Sequence, residues 1–256
     1  MTDQKPAKAQ SAVLLWAAVL FAIGVPALQA IFPFALSARD FAADGNETLR
    51  AAGFAFAIWT LLYAGLVGYA FNVSRSTKSR SPAQRTLYWP SIVAISGCGL
   101  WILASASDLK AATIAIIAFS AASLLLALIR ARPLAAKSDR LQTLWPLGLL
   151  AGWLTIATAI NALTVLTAWG WIDAASAPAW AGGGVALVFA AGLAGLWLTR
   201  LPAYALPIAW GLIGVYARRD HSSPDDYYHR FGLRAGAGVT CGVGLGSEPP
   251  ASSDPP

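Results

Sequence analysis

Seven uncharged apolar stretches decide what this chain can fold into. None contains Asp, Glu, Lys, Arg or His, and each is close to the roughly 17 to 25 residues that cross a bilayer as a helix. They run from Ser11 to Phe34, Ala51 to Phe71, Trp89 to Ala106, Ala111 to Ile129, Trp145 to Trp171, Ala179 to Thr199 and Leu201 to Ala217. Polar and apolar residues do not alternate in them, as they do in the strands of membrane barrels. The sequence therefore predicts an all-α integral membrane protein, a bundle of about seven transmembrane helices.

The first and last stretches each have a second interpretation. Lys5 and Lys8 precede the first stretch, as they would in a signal peptide, but its apolar core is about twice the usual 7 to 15 residues, so we predict a retained helix. The last stretch is short and contains Pro207, and Arg218 and Arg219 follow it. The sequence leaves open whether this stretch crosses the bilayer. The answer determines on which side of the membrane the C-terminal tail lies.

Basic residues mark one side of the predicted membrane domain. They occur in the N-terminal arm and in the loops after the second and fourth stretches, whereas the opposite loops mix them with acids. Because cytoplasmic loops carry an excess of Lys and Arg, we expect the N-terminus in the cytoplasm. The predicted organisation is a cytoplasmic arm (1–10), a five-helix membrane domain (11–171), two additional transmembrane helices (172–217) and a disordered tail (218–256) rich in Ser, Pro and acids.

Composition excludes several classes of function. The net charge of +6 comes from loops that flank spans, without the interleaved aromatic residues of single-strand binders, so no nucleic-acid partner is expected. Both histidines, His221 and His229, lie in the tail, so the spans offer neither a metal cluster nor a histidine ligand for haem. No span contains a Lys for a retinal Schiff base, or a His or carboxylate for acid–base catalysis. We therefore predict no catalytic residue and no metal, and do not expect an enzyme.

Tryptophan is frequent, with 11 residues in the chain. Six of them lie at predicted span ends, where indole rings commonly sit at the membrane interface. These six are Trp89, Trp145, Trp169, Trp171, Trp180 and Trp197. Trp59, Trp101, Trp153 and Trp210 lie deeper, where the indole N–H needs an acceptor and the ring needs a packing partner. The deep four are either ordinary core residues or part of a shared site.

Aromatic and polar residues share faces on three of the spans. On a helix, Trp153, Ala157 and Asn161 lie four apart and form one stripe. An Asn within a span costs free energy unless a partner satisfies it, so this stripe is expected to face the bundle interior. Two interpretations are open. The aromatic and polar residues of the three spans face one shared cavity, or each of them packs against its own neighbours. The candidate ligand-binding residues are Trp59, Tyr63, Trp101, Trp153, Ala157 and Asn161.

Small residues at a spacing of four favour close helix packing. Such pairs are Ala64 and Gly68, Gly148 and Gly152, and Ala191 and Gly195. They are generic packing signals and by themselves indicate no ligand.

The same segments resemble the tryptophan-rich sensory protein and translocator protein family (TspO/MBR), five-helix membrane proteins that bind tetrapyrroles and, in some members, sterols. FAIWTLLY from Phe56 is similar to the family's FGPVWTLLY segment, and WLTIATAIN from Trp153 is similar to WVSFATYLN. GLWILASA around Trp101 falls where the family has an NxxW segment, with Cys98 in place of the Asn. The resemblance covers the first five stretches, and five-helix members lack the two that follow Trp171.

The resemblance implies that the first five helices form a TspO-like bundle that binds a flat hydrophobic ligand, a porphyrin or a sterol-like molecule, non-covalently and with no required cofactor. Porphyrins carry propionates, and Arg39 and Arg50 in the first loop are the candidate partners for a ligand carboxylate. We therefore expect a non-catalytic membrane receptor or carrier. Its expected partners are the lipid bilayer and a hydrophobic small molecule, with a homodimer as a further candidate. The alternative is a transporter of a small neutral solute, since the spans lack the ionisable residues that ion-coupled carriers use.

Overall fold

The computed structural model describes residues 4–32, 35–45, 48–75 and 80–220, and most of them are helical. Inside a bilayer no water replaces a lost backbone hydrogen bond, so a spanning segment satisfies its own N–H and C=O groups as a helix. The helices are α1 (Gln4–Ile31), α2 (Ala38–Ala43), α3 (Ile58–Arg75), α4 (Pro82–Ala106), α5 (Lys110–Ala131), α6 (Lys137–Asp139), α7 (Trp145–Ala168), α8 (Ala177–Thr199) and α9 (Pro202–Asp220). A 3-10 turn at Gly53–Ala57 leads into α3, and a π-helical turn at Arg140–Leu144 leads into α7. These ranges contain no strand, and the all-α prediction is confirmed.

Six of the seven predicted spans are long and apolar enough to cross a bilayer, as expected of a multi-pass membrane protein. They are Ala12–Ile31, Gly53–Arg75, Pro82–Ala106, Lys110–Leu134, Lys137–Ala168 and Ala177–Thr199. The seventh stretch forms α9 but is not among these spans, because prolines and the terminal arginines lower its hydropathy. α1 begins within the expected N-terminal arm, and α9 continues three residues into the expected tail. Residues 221–256 of that tail lie outside the described residues.

Five of the helices form a closed ring. α1 contacts α3 and α4, α4 contacts α5, α5 contacts α7, and α7 returns to α3. The ring encloses an apolar core that includes the fully buried side chains of Leu66, Leu87, Leu124 and Leu150. Each of these five helices covers most of one of the first five predicted spans, so the segments with the sequence motifs surround one interior.

α8 and α9 pack outside this ring, and glycines determine how close they come. Gly152 of α7 lies so near the Tyr204 carbonyl of α9 that a Cβ there would overlap it. Gly148 lies against the Leu201 side chain, and Gly195 of α8 lies against the Tyr204 ring. Two of the three small-residue pairs in the sequence therefore contribute to seating the start of α9 against α7 and α8.

α9 runs beside α7 in the same direction. Gly211 lies against Ile156, farther along both helices. Near the end of α9, the Gly214 carbonyl accepts a hydrogen bond from the Ala52 N–H (2.9 Å). The helix therefore ends on the side of the bundle where α1 connects to α3. Arg218 lies on that side, which is not the side with the basic loops.

Replacement of Gly152 by Ala tests the contact between α7 and α9. The added Cβ overlaps a backbone carbonyl that cannot rotate away, so we expect the free energy of unfolding to fall by about 1–3 kcal/mol. Thermal unfolding in detergent, followed by circular dichroism, measures the change. Gly182→Ala is the matched control, because a Cβ at Gly182 meets nothing within 4 Å. Equal destabilisation of the two variants would contradict a specific contact at Gly152.

Candidate ligand-binding cavity

A partly enclosed cavity lies inside the five-helix ring. Its volume is about 310 Å³, and most of its wall is apolar. Residues of α3, α4, α5 and α7 supply much of the wall, and α2 and the segment leading into α3 close one end. All six candidate residues from the sequence line this one cavity: Trp59, Tyr63, Trp101, Trp153, Ala157 and Asn161.

The aromatic part of the wall is built around Trp59. Trp59 and Tyr63 lie one turn apart on the same face of α3, with ring centroids 5.2 Å apart and planes tilted by 31°. The Trp153 ring of α7 meets Trp59 edge to face, at 6.2 Å and 83°, a geometry that the ring quadrupoles favour. Phe56 meets Trp153 in a similar way at 6.4 Å. The stripes of α3 and α7 thus converge, and Phe56 joins them although the sequence analysis did not select it.

Asn161 connects three helices through its side-chain amide. Its Oδ1 accepts a hydrogen bond from Trp101 Nε1 of α4 (3.1 Å), and its Nδ2 donates to Thr113 Oγ1 of α5 (3.1 Å). Thr113 Oγ1 donates in turn to the Lys110 carbonyl (2.7 Å). Asn161 is 5% exposed, so water cannot easily replace these partners. The amide therefore stabilises the helix packing at the cavity wall, with Thr113 as a partner that the sequence analysis missed.

Two of the four deep tryptophans lack an acceptor among the described residues. No residue that the structure describes makes a hydrogen bond to Trp59 Nε1, Trp153 Nε1 or Tyr63 Oη. Trp101 and Trp210, by contrast, donate to an amide and to a backbone carbonyl. A polar donor in an apolar pocket favours a ligand that carries acceptor atoms. Trp59, Tyr63 and Trp153 therefore provide uncharged donor groups to such a ligand.

The six-residue helix α2 caps one end of the cavity. Its Phe41 is buried, and the Phe41 ring meets Trp101 edge to face at 6.0 Å. Lys110, at the start of α5, holds this cap from outside: its Nζ lies 3.4 Å from the Asp44 carboxylate and 5.9 Å from the centre of the Phe41 ring. Lys110 also forms an ion pair with Asp108. One cation thus ties the cap to the loop between α4 and α5.

The sequence contains a capping signal at the start of α2. Ser37 and Asp40 fit the spacing of a helix-capping pattern, and Ser37 Oγ accepts a hydrogen bond from the Asp40 N–H (3.1 Å). Farther along the same loop, the hydroxyl groups of Thr48 and Thr167 are hydrogen-bonded at 2.8 Å, which fastens the loop to the end of α7. The cap is short and partly polar, so hydropathy alone does not reveal it.

Arg50 is the only charged residue among the described residues that line the cavity. It is half-buried and lies in the segment that leads into α3. The side chain of Arg39, the other candidate for a ligand carboxylate, lies outside the described part of the structure. Cys98 lines the wall but donates its Sγ–H to the Ala94 carbonyl of its own helix (3.3 Å). Within the described ranges, no three His, Cys, Asp or Glu residues come together in a metal-binding group.

The described residues define a class: a multi-pass helical membrane protein with an aromatic cavity inside a ring of five helices. The model of the family described as TSPO-like protein matches residues 12–236. The chain belongs to this family, and the resemblance seen in its sequence motifs is confirmed. The match continues beyond the five-helix ring through α8 and α9. Comparisons with curated proteins and with solved structures found no match.

Replacement of Asn161 by Ala tests the link between the three helices. The change leaves the Trp101 N–H and the Thr113 hydroxyl without their partner, so we expect the free energy of unfolding to fall by about 1–3 kcal/mol. Chemical or thermal unfolding in detergent measures it.

Asn72→Ala is the matched control for this substitution. No described residue makes a hydrogen bond to the Asn72 side chain, so its loss is expected to change stability by less than about 0.5 kcal/mol. If Asn161→Ala were as stable as Asn72→Ala, the amide would not stabilise the helix packing.

Proposed function

We propose that the protein is a non-catalytic membrane receptor or carrier that binds a flat hydrophobic ligand, a porphyrin or a sterol-like molecule, in the aromatic cavity. One observation carries this proposal: motifs from three separate spans line a single cavity. Pockets that bind small molecules are mostly apolar, with a few polar groups that orient the ligand. The cavity has this composition, because Trp59, Tyr63 and Trp153 combine broad ring surfaces with donor atoms that have no partner among the described residues.

The size of the cavity sets a condition on the ligand. Pockets for small molecules commonly measure about 300–1,000 Å³, and this one, at about 310 Å³, lies at the small end of that range. A ligand as large as a porphyrin therefore needs the α2 cap to move outward or leaves part of its ring outside. The described contacts that such a movement would break are the Phe41–Trp101 ring contact and the ion pair between Lys110 and Asp44.

The charges of the lining favour binding over reaction. Its described residues include one cation, Arg50, and neither a carboxylate nor an imidazole. The Tyr63 hydroxyl and the Cys98 thiol line the cavity, and the described lining offers no carboxylate or imidazole to activate them for acid–base or nucleophilic catalysis. A lining of rings, small residues and one cation supports recognition of a ring system with an acidic substituent.

Quenching of tryptophan fluorescence by protoporphyrin tests the site in purified, full-length protein. Trp59→Ala and Trp153→Ala each remove one ring from the aromatic wall, so we expect the dissociation constant to rise about three- to tenfold. The dissociation constant is obtained from the dependence of quenching on the protoporphyrin concentration. Its value does not depend on how many tryptophans remain in the variant. Trp197→Ala is the matched control, because Trp197 is 65% exposed on α8 and does not line the cavity. Wild-type affinity in both cavity variants would refute binding at this site.

A second test concerns Arg50 and the acidic substituents of the ligand. If the guanidinium pairs with a propionate, Arg50→Gln is expected to weaken the binding of protoporphyrin about tenfold. The dimethyl ester of protoporphyrin has the same ring and no carboxylate, so its affinity is expected to be unchanged by the substitution. An equal loss of affinity for the acid and the ester would show that Arg50 acts on the cavity's shape and not on the carboxylate.

A further inference from the structure

A second feature lies on the outside of the bundle, between α3 and the π-helical turn that precedes α7. It is a groove of about 430 Å³. Gly65, Gly68 and Phe71 line its apolar part, and Arg75 and Gln142 line its polar part. The ligand cavity inside the ring shares none of these residues.

The described residues of the protein do not fill the apolar part of the groove. A Cβ at Gly68 would meet no atom within 4 Å, whereas one at Gly65 would touch the Cβ of Pro146 at 3.4 Å. Gly68, one member of the small-residue pair with Ala64, therefore faces no helix of the described chain, although such pairs usually mark close packing. What remains is an open slot beside the exposed ring of Phe71, within a span.

The polar part continues into a neighbouring depression of about 320 Å³. Asn72, Arg75 and Gln142 line both spaces, and Ser81 and Ser138 line the depression. In the part of the chain that the structure describes, the Asn72 and Gln142 side chains make no hydrogen bond. Between Gly68 and Arg75, about two turns of α3, the lining thus changes from apolar to hydrogen-bonding groups.

Arg75 supplies a positive charge where the two parts meet. Its Cζ lies 5.1 Å from the centre of the Phe71 ring. No carboxylate of the described residues lies within ion-pair distance of it. Asp139 also lines the depression, but it is buried and its Oδ2 accepts a hydrogen bond from the Ala136 N–H (3.1 Å). Arg75 is therefore available to an anion from outside the protein.

The π-helical turn presents Leu141 and Gln142 to the groove. Pro146 has no N–H for the Gln142 carbonyl, and in an α-helix its ring would crowd that carbonyl. The wider turn relieves this conflict, and the Trp145 N–H bonds to the Arg140 carbonyl. π-helical turns of this kind occur frequently at functional sites.

We propose that this groove binds one anionic phospholipid, with an acyl chain along Gly68 and Phe71 and the phosphate at Arg75. The groove lies near the end of a span, where acyl chains meet headgroups, and basic pockets between spans attract anionic headgroups. A free phosphate would leave the apolar part of the groove without a contact, and a lipid without a negative charge would leave Arg75 without an ion pair. An amphiphile with one chain in the slot and a negative charge at its end uses both.

Native mass spectrometry of the purified full-length protein tests the headgroup site. The protein is incubated in detergent with an equimolar mixture of phosphatidylglycerol and phosphatidylcholine, and bound lipids are identified by mass. We expect the wild type to prefer phosphatidylglycerol and Arg75→Gln to lower that preference about fivefold. Arg130→Gln is the matched control, because Arg130 is exposed at the end of α5 and lines neither space. Equal preferences in the two arginine variants would overturn the headgroup site.

Gly68→Leu tests the acyl-chain site separately. The new side chain enters the open slot, so we expect less bound lipid of both classes. Gly182→Leu, at a glycine of α8 that is equally free of neighbours, is the control and is expected to retain lipid as the wild type does. Equal retention in the two glycine variants would overturn the acyl-chain site. Circular dichroism checks the fold of every variant, and the arginine pair decides the headgroup site even if a glycine variant does not fold.

Discussion

The packing around the cavity depends on an amide whose buried partners water cannot easily replace. In the hydrocarbon interior, a polar group that loses its partner stays unpaired at a cost of roughly several kcal/mol. Asn161 meets this constraint by joining Trp101 of α4 and Thr113 of α5 to α7. These bonds stabilise the positions of three of the five ring helices at the cavity. The aromatic wall is thus built beside a polar network that is already satisfied within the protein.

The deep aromatic residues consequently divide into two kinds. The Trp101 N–H is engaged by Asn161, so this ring contributes a surface to the cavity and a bond to the helix packing. Trp59 and Trp153 contribute their ring surfaces, and their N–H groups have no partner among the described residues. A ligand cavity uses both kinds of residue. Rings that are fixed by hydrogen bonds maintain the shape of its wall, and donors without a protein partner select ligands that carry acceptor atoms.

Two different faces of α7 make two different contacts, one with the cavity and one with α9. Trp153, Ala157 and Asn161 line the cavity, whereas Gly148 and Gly152 receive α9. Small residues let one helix approach closely, and large rings hold the opposite helices farther away. The position of α9 therefore bears on the cavity, because any shift of α7 away from Tyr204 also moves the Trp153 ring.

The sequence by itself determined the apolar helices and the face on which each motif lies, because both depend on local composition and on the helical period. The six tryptophans that the sequence assigns to span ends are all exposed. The sequence did not reveal that Asn161 bonds Trp101 and Thr113, that Lys110 ties α2 to the bundle, or that Gly152 meets α9 while Gly68 faces an open groove. Only the tertiary structure decided these points, because each depends on the distance between residues far apart in the chain.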